Sequence, residues 1–448
     1  MAMSVPLTLR KRIALGQSQR KHTPRAELAV WQPKLRRADP LQILAESMRG
    51  RVPALIPIKY NRMAASPFAF FRGAVPIMAS DLSLGPNTGI LTQLCGDAHI
   101  RNLGAFAAPD GRLVFDINDF DETIRGPFEW DVKRMAASLL LAGREAGAKN
   151  TPCLDATRTF LKSYRSAMHS FAQMPVLELA RYQVHRLHTV EPVSQILRLA
   201  ERATPLHNLE ALTHPTHKKK SSPRIFKTID PILTRVHGDQ ARSVLGSLVS
   251  YADSLQPERR HFLAQYTPLD VAFKVVGTGS VGLRDYCIFL QGNGPNDPLF
   301  LQIKEEALSA YAPYLGQTPT ASHQGCRVVD GQRAMQFQSD PFLGWTTIEG
   351  RDFLVRQLND HKAAVGMTEL KADGLLEYAA VCGETLARGH ARSGDPGVIA
   401  GYIGASSRFD AAIVRFAAAY VEQTERDWQA FLSSRSNKPT NRTPRKSK

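Results

Sequence analysis

Between Leu94 and Asp131 the chain reads LCGDAHIRNLGAFAAPDGRLVFDINDFDETIRGPFEWD. Asp97, His99, Asn102, Asp116, Asp119, Asp121, Glu122 and Asp131 all fall within this one stretch. In its middle an apolar run meets Pro109-Asp110-Gly111 and then the strand-like Leu113-Val114-Phe115, the pattern of a tight hairpin. A hairpin returns its two ends to one place, so carboxylates flanking it converge. Converging carboxylates with an amide oxygen suit a hard cation such as Mg²⁺, which takes oxygen ligands and keeps a substrate phosphate among them. Whatever fold forms must bury this turn's apolar residues while keeping its acids together.

A second stretch, FKVVGTGSVGLRDYCIFLQGNGPNDPLFLQIKEE (273–306), holds three β-rich runs. The first turn carries Gly277, Thr278, Gly279, Ser280 and Gly282, and the second Asn293-Gly294-Pro295-Asn296-Asp297, so an antiparallel meander is expected. Gly277 to Gly282 fits GxGxxG. A dinucleotide site needs a helix after those glycines. Here Tyr286, Ile288 and Leu290 alternate as a strand. A glycine turn between antiparallel strands is instead the shape of a phosphate-covering flap, the alternative being a plain glycine hairpin. Lys304 ends the strand after the flap, where a lysine points beneath it at nucleotide phosphates; standing alone it reads as a surface residue.

The chain's 448 residues suffice for two lobes. Five scattered cysteines with no CxxC pair argue for a reducing, cytoplasmic compartment and against structural zinc. No apolar run of membrane-spanning length and no secretory signal is expected. The net charge of +16 is concentrated at 1–37, 216–227 and 434–448, which together exceed the whole excess. The remainder is near neutral, so a basic groove built into the fold is not indicated. The termini read as solvated, disordered tails that bind polyanions, nucleic acid included, weakly and without specificity. Helices are expected at 39–51, from Ser66-Pro67 to Gly73 with Phe68, Phe70 and Phe71 inward, at 130–147, 155–212, 319–337, 371–392 and 408–432. Strands are expected at DPFLGWTTI and RDFLVRQL.

Asp97 lies five residues before Asn102, the spacing of a phosphotransfer catalytic loop in which the Asp takes the acceptor proton and the Asn holds a metal; an Asx-rich turn is the plainer alternative. Gly96-Asp97-Ala98-His99-Ile100-Arg101-Asn102 resembles the GDxHxxN loop of aminoglycoside phosphotransferases and choline kinases, of the protein-kinase-like superfamily. That resemblance implies a metal-binding Asp after the hairpin and a later helix Asp bracing the loop. Counting back from Asp131 selects Asp119 as the metal ligand; distance from Asn102 favours Asp116. More of the chain, including SPFAFFRG, VFDINDFDE, GPFEWDVKRMAAS, GTGSVGLR, SDPFLGW and LARGHARSGD, resembles the uncharacterised bacterial family DUF2252.

These resemblances imply an α+β, protein-kinase-like bilobal fold with an antiparallel sheet lobe and a large helical lobe. Because the flap and Lys304 follow the catalytic loop instead of preceding it, the order is circularly permuted. The expected organisation is a basic disordered tail at 1–37, a helical lobe with the catalytic loop at 38–265, a nucleotide-binding lobe at 266–365, completing helices at 366–433 and a basic tail at 434–448. The expected activity is ATP- and Mg²⁺-dependent phosphoryl transfer to a hydroxyl of an unknown acceptor. Nucleotidyl transfer and a non-catalytic nucleotide binder remain open. Asp97 is the expected base, and His99 either a general acid, a metal ligand or an orienting member of the loop. His390 is read as a buttress of the same loop, and no helix Glu stands out as a partner for Lys304.

Overall fold

Helix Glu129–Glu145 is buried almost all round, charged Asp131, Lys133 and Arg134 included, so it lies inside the molecule and not on its surface. The computed structural model describes residues 6–184, 190–217, 223–316, 321–358, 363–366, 370 and 373–436. Helices Asn150–Gln173, Asp373–Ser393, Pro396–Ile403 and Arg408–Ser436 surround the central helix and share its apolar core. Two of them cross closely at Gly383, where an added Cβ would lie 2.4 Å from the Phe160 carbonyl oxygen. The chain is therefore a mixed α/β protein with a large helical body.

The sheets are antiparallel throughout. Strands β1 (Leu91–Leu94) and β4 (Ile124–Pro127) pair, and between them β2 (Leu103–Ala107) and β3 (Leu113–Ile117) form the expected hairpin. A small ladder joins β5 (Thr213–Pro215) to β6 (Arg224–Phe226). The main sheet comprises β7 (Leu233–Arg235), β8 (Thr267–Lys274), β9 (Asp285–Gln291), β10 (Pro298–Glu305), β11 (Gly344–Ile348) and β12 (Arg351–Gln357), in the order β11-β12-β10-β9-β8-β7. Helix Gln324–Met335 intervenes between β10 and β11 and packs on β12. A short strand, β13 (Ala363–Ala364), pairs with β2 and ties the end of the main sheet to the hairpin.

Alternation along the main strands decides what faces the helical body. Leu299, Leu301 and Ile303 of β10 and Tyr286, Ile288 and Leu290 of β9 enter one apolar cluster. Residues of opposite parity, Asp285, Gln302, Lys304 and Arg356, point the other way and form a polar ladder. Gln302 donates to Asp285 Oδ2 at 2.7 Å, Arg356 Nε to Gln302 Oε1 at 3.0 Å, and Arg356 Nη1 to the Asn118 carbonyl at 3.1 Å. The last bond carries the sheet onto the end of the hairpin.

The N-terminal segment corrects the expectation of a disordered tail. Leu9–His22 is a helix packed on Pro396–Ile403. The contact is backbone against backbone: a Cβ on Gly16 would lie 2.0 Å from the Val398 oxygen, and one on Gly401 2.3 Å from the Ile13 oxygen. Its arginines are used locally. Arg20 Nε donates to the Tyr402 carbonyl at 2.9 Å and Arg25 Nη1 to that of Ile403 at 2.7 Å, satisfying carbonyls at a helix C-terminus. Arg36 bridges Asp81 and Asp427, each at 2.7 Å. These charges are bound within the fold instead of being free to meet a polyanion. Of the other basic segments, 218–222 and 437–448 lie outside the described residues, and 434–436 end a helix. Among the described residues no helix is long and apolar enough to cross a membrane.

Candidate active site

The loop Cys95–Asn102 is held from below by the central helix. Asp131 accepts the Cys95 N–H at 2.7 Å and the Gly96 N–H at 3.1 Å, and His390 Nε2 lies 3.3 Å from the same carboxylate. His390 thus buttresses the loop through Asp131, with Tyr164 on its other nitrogen at 2.8 Å. Gly96 has a φ of +80°, and a Cβ there would meet the Glu122 carbonyl at 2.2 Å, so no other residue fits. Ser138 accepts the Ile100 N–H at 3.2 Å, and Tyr378 donates to the Ile100 carbonyl at 2.8 Å.

Within the loop, Arg134 fixes one oxygen of Asp97, its Nε and Nη2 lying 2.8 and 2.6 Å from Oδ1. Oδ2 stands 3.5 Å from His99 Nε2. Arg72 Nε donates to that same His99 nitrogen at 3.3 Å, which makes it an acceptor and places the ring proton on Nδ1. Burial, with the nearby cations Arg72 and Arg134, lowers the His99 pKa to about 3 against the opposing charge of Asp97. His99 is therefore neutral near pH 7. Asp97 Oδ2 is left as the open oxygen.

Asn102 joins the loop to the hairpin. Its Nδ2 donates to the Asp97 carbonyl at 3.1 Å and the Asp119 carbonyl at 2.9 Å, while its buried Oδ1 has no partner. Asp119 and Asp121 follow on the turn after β3. Lys304, 185 residues further along the chain, reaches both, with its Nζ 3.4 Å from Asp119 Oδ1 and 2.5 Å from Asp121 Oδ2. Burial acts to depress the Lys304 pKa, yet the two carboxylates outweigh it and hold it above the usual lysine value. Of the coupled acids, Asp121 is pushed up by burial and by Asp119, while Lys304 and Arg356 hold Asp119 low in spite of its burial.

The glycine turn joins β8 to β9 and is gripped from outside by helix Ile56–Ala64 and the residues before it. Lys59 Nζ donates to the Thr278 carbonyl at 3.1 Å and to that of Gly279, Arg62 to Gly277, and Arg51 Nη1 to Val281 at 2.6 Å. Gly277 and Gly282 have φ of +70° and +98°. Lys59, Arg62 and Arg51 therefore take the turn's carbonyl oxygens.

These pieces wall one cavity of about 600 Å³, lined by Asp97, His99, Asn102, Asp119 and Asp121 on one side and Gly277, Thr278, Gly279 and Ser280 on the other. Two sequence-predicted residues stand behind the wall: Lys304, touching it through its two carboxylates, and Gly282, packed on Arg51. Asp116 is not brought to the cavity. It is buried on the far side of β3, where Arg388 holds Oδ1 and the Phe337 N–H meets Oδ2 at 3.1 Å, so it has no oxygen to offer a cation. Among the described residues no three His, Cys, Asp or Glu side chains converge as a metal cluster.

Several residues of the site escaped sequence reasoning. Arg134 lies three residues after Asp131, on the same helical face, and that spacing was a usable signal. Asp121 is the carboxylate that pairs Lys304 where a helix Glu was sought. Helix Gln324–Met335 contributes Arg327 instead, which donates to the carbonyls of Thr123 at 2.5 Å, Asp121 at 2.8 Å and Ala307 at 2.9 Å. Lys59, Arg62 and Arg51 carry no local mark of a partner more than two hundred residues away.

A family model for an uncharacterized protein conserved in bacteria, DUF2252, matches residues 51–434. The chain belongs to this family. No curated protein and no solved structure matches it. The DUF2252 match takes in both walls of the cavity, from Arg51 to Arg356, whereas Ile43, Glu46, Ser47 and Arg49 at its edge, and the N-terminal helix, precede it.

Proposed function

We propose that this DUF2252 protein transfers the terminal phosphoryl group of ATP, with Mg²⁺, to a hydroxyl, on a kinase-like fold in permuted order. The observation that carries this reading is the single cavity shared by the Asp97–Asn102 loop and the Gly277–Ser280 turn, with Lys304 binding Asp119 at their seam. Kinase-type phosphoryl transfer uses a glycine flap between two antiparallel strands, a lysine on the third strand, an acceptor-side Asp and an Asn beyond it. The Gly277–Gly282 turn, Lys304, Asp97 and Asn102 are the residues that would fill these places. Strands β8, β9, β10, β12 and β11 lie side by side in that order, with a helix inserted after β10, and helix Asp373–Ser393 ends against Thr92, just before the loop. Joining that helix end to the loop restores the usual kinase order, which supports the permutation.

Mg²⁺ needs only one or two protein oxygens beside water and phosphate. The partnerless Oδ1 of Asn102 and the carboxylate of Asp119 fit that need, and a bound ion there would neutralise phosphate charge. The remaining work falls to the chain. With its carbonyls taken by Lys59, Arg62 and Arg51, the turn has backbone N–H groups to offer phosphate oxygens. Lys304 adds positive charge while fixing Asp119 and Asp121. Arg134 holds Asp97 so that Oδ2 faces the incoming hydroxyl and accepts its proton. The rate gain then comes from positioning and charge stabilisation.

Thermal-shift titration with ATP and Mg²⁺, followed by transfer from ATP labelled at the γ- or the α-phosphate, tests the reading. It expects metal-dependent stabilisation, γ-label transfer, and loss of transfer by a thousandfold or so in Asp97→Ala and Lys304→Ala. α-Label transfer would make the protein a nucleotidyl transferase. Binding without turnover would make it a nucleotide-binding interaction protein, and retained transfer in both variants would refute the site.

A further inference from the structure

The cavity's arginines divide into two groups. Arg51 donates to the Val281 and Ser47 carbonyls, and Arg356 to Gln302 and the Asn118 carbonyl, so both are occupied. Arg49 lines one edge together with Glu46, which brings an opposite charge to that edge. Arg72 and Arg101 differ. Both line the cavity beside Asp97, and among the described residues neither makes an ion pair. Arg72 spends only its Nε, on His99, and stacks at 5.9 Å from the Phe68 ring, leaving the two terminal nitrogens of its fork uncommitted. Arg101 stands four residues after Asp97 on the same loop. The buried Nδ1 of His99, the protonated nitrogen of that ring, also lacks a partner, and His99 lines the same cavity.

Arg72 is half-buried with two terminal nitrogens uncommitted, and Arg101 stands exposed beside it, so the pair offers a ready seat for an anion. Burial and then Arg101 lower the Arg72 pKa, against the opposing charges of Asp97, Asp119 and Glu145. The nucleotide phosphates already have the flap, with Lys304 behind the Asp119–Asp121 turn at the seam of the two walls. Arg72 and Arg101 are the cations left uncommitted beside the open Oδ2 of Asp97.

We propose that the acceptor is itself an anion, a small hydroxyl compound bearing a phosphate or carboxylate group that Arg72 and Arg101 bind while its hydroxyl meets Asp97. This rests on the phosphotransferase reading and adds the class of its substrate. Arg72 reads the anion through a planar fork, which favours a bidentate oxyanion over a point charge. Transfer moves the terminal phosphoryl group onto the acceptor oxygen, the hydroxyl proton passes to Asp97, and ADP leaves.

The test uses the full chain saturated with ADP and Mg²⁺, and three hydroxyl compounds of similar size: glycerol 3-phosphate, neutral glycerol and cationic choline. The anion is expected to raise the melting temperature beyond the ADP–Mg²⁺ value, and the other two are not. Arg72→Gln and Arg101→Gln should each weaken the anion's effect tenfold or more while keeping the ADP–Mg²⁺ shift. Arg101→Gln, which disturbs no bond of His99, guards against a merely structural loss. An ADP–Mg²⁺ shift with no anion effect, or with choline or glycerol equally effective, overturns the proposal and leaves the nucleotide reading intact. Loss of the ADP–Mg²⁺ shift in either Gln variant assigns the arginines to the nucleotide and also overturns it. Absence of any ADP–Mg²⁺ shift in the unaltered protein sinks the underlying reading first.

Discussion

The two walls of the cavity are built on opposite plans. The Asp97–Asn102 loop is fixed from within by buried side chains of the central helix and its neighbours: Asp131 on two backbone N–H groups, Arg134 on Asp97, Ser138 and Tyr378 on Ile100. The Gly277–Gly282 turn is fixed chiefly through its backbone, its carbonyls gripped by Arg51, Lys59 and Arg62 from a segment that precedes the loop in sequence. One wall is part of the core and the other is clasped to it. The difference would suit the proposed phosphotransfer, in which Asp97 holds still while the glycine turn admits a ligand. Mutations on the two sides should therefore fail differently.

The largest effect is expected at Asp131. Replacing it by Ala leaves the Cys95 and Gly96 N–H groups unpaired in the core and strips His390 of its partner. Unsatisfied buried groups cost about 1–3 kcal/mol each, so a loss of about 3–5 kcal/mol is expected. Chemical denaturation of Asp131→Ala measures it. A loss below about 1 kcal/mol would mean that the loop is not core-braced and that the contrast between the walls is false.

Lys59 tests the other wall. Its ammonium is buried, its pKa is well depressed, first by desolvation and then by Arg51, and its hydrogen-bond partners are the Thr278 and Gly279 oxygens. Lys59→Met keeps the length and apolar body of the side chain, so global stability should change by less than about 1 kcal/mol. Amide exchange at 277–282 should quicken by about tenfold or more while exchange at 95–102 stays as it was, and nucleotide affinity should fall by a similar factor. Equal acceleration on both walls would show that they open as one unit.

What the sequence made legible follows the same division. The hairpin, the glycine turn and Lys304 announce themselves locally, because turns and alternating strands are short-range patterns. The contacts that assemble the walls do not. Lys59 reads like any basic residue of an amphipathic helix. Leu9–His22 escaped because its docking depends on Gly16 and Gly401, and glycines at a helix crossing leave no apolar stripe to find. Asp116 and Asp119 were inseparable by spacing, since neither count shows which way β3 presents its side chains. Register decides it: Asp116 opposes Gly104 within the ladder and turns into the core, while Asp119 lies past the strand's end, free to reach the cavity. DUF2252 membership covers both walls but says nothing of which residues touch.

The smallest expected effect is a pH dependence that belongs to the core-braced wall alone. His99 has a folded pKa of about 3, lowered by burial and by the nearby arginines, against an ordinary value near 6.5. Between these values the unfolded chain binds a proton that the folded chain refuses. The His99 contribution is therefore whole above about pH 6.5 and is lost as pH falls toward 3. By pH 5.5 this removes about 1 kcal/mol relative to pH 6.5. Asp121 and Glu306 act with the opposite sign: burial raises both carboxyls, so lowering the pH relieves a charge held at a cost. The bare pH profile mixes the two. Its difference between the unaltered protein and His99→Gln isolates the histidine, since Gln keeps a side-chain acceptor for Arg72 and does not titrate. A steeper loss below pH 6.5 in the unaltered protein is the expected result. Parallel profiles would mean that His99 takes its proton as readily folded as unfolded, and that the ring beside Asp97 is charged once the pH falls below about 6.5.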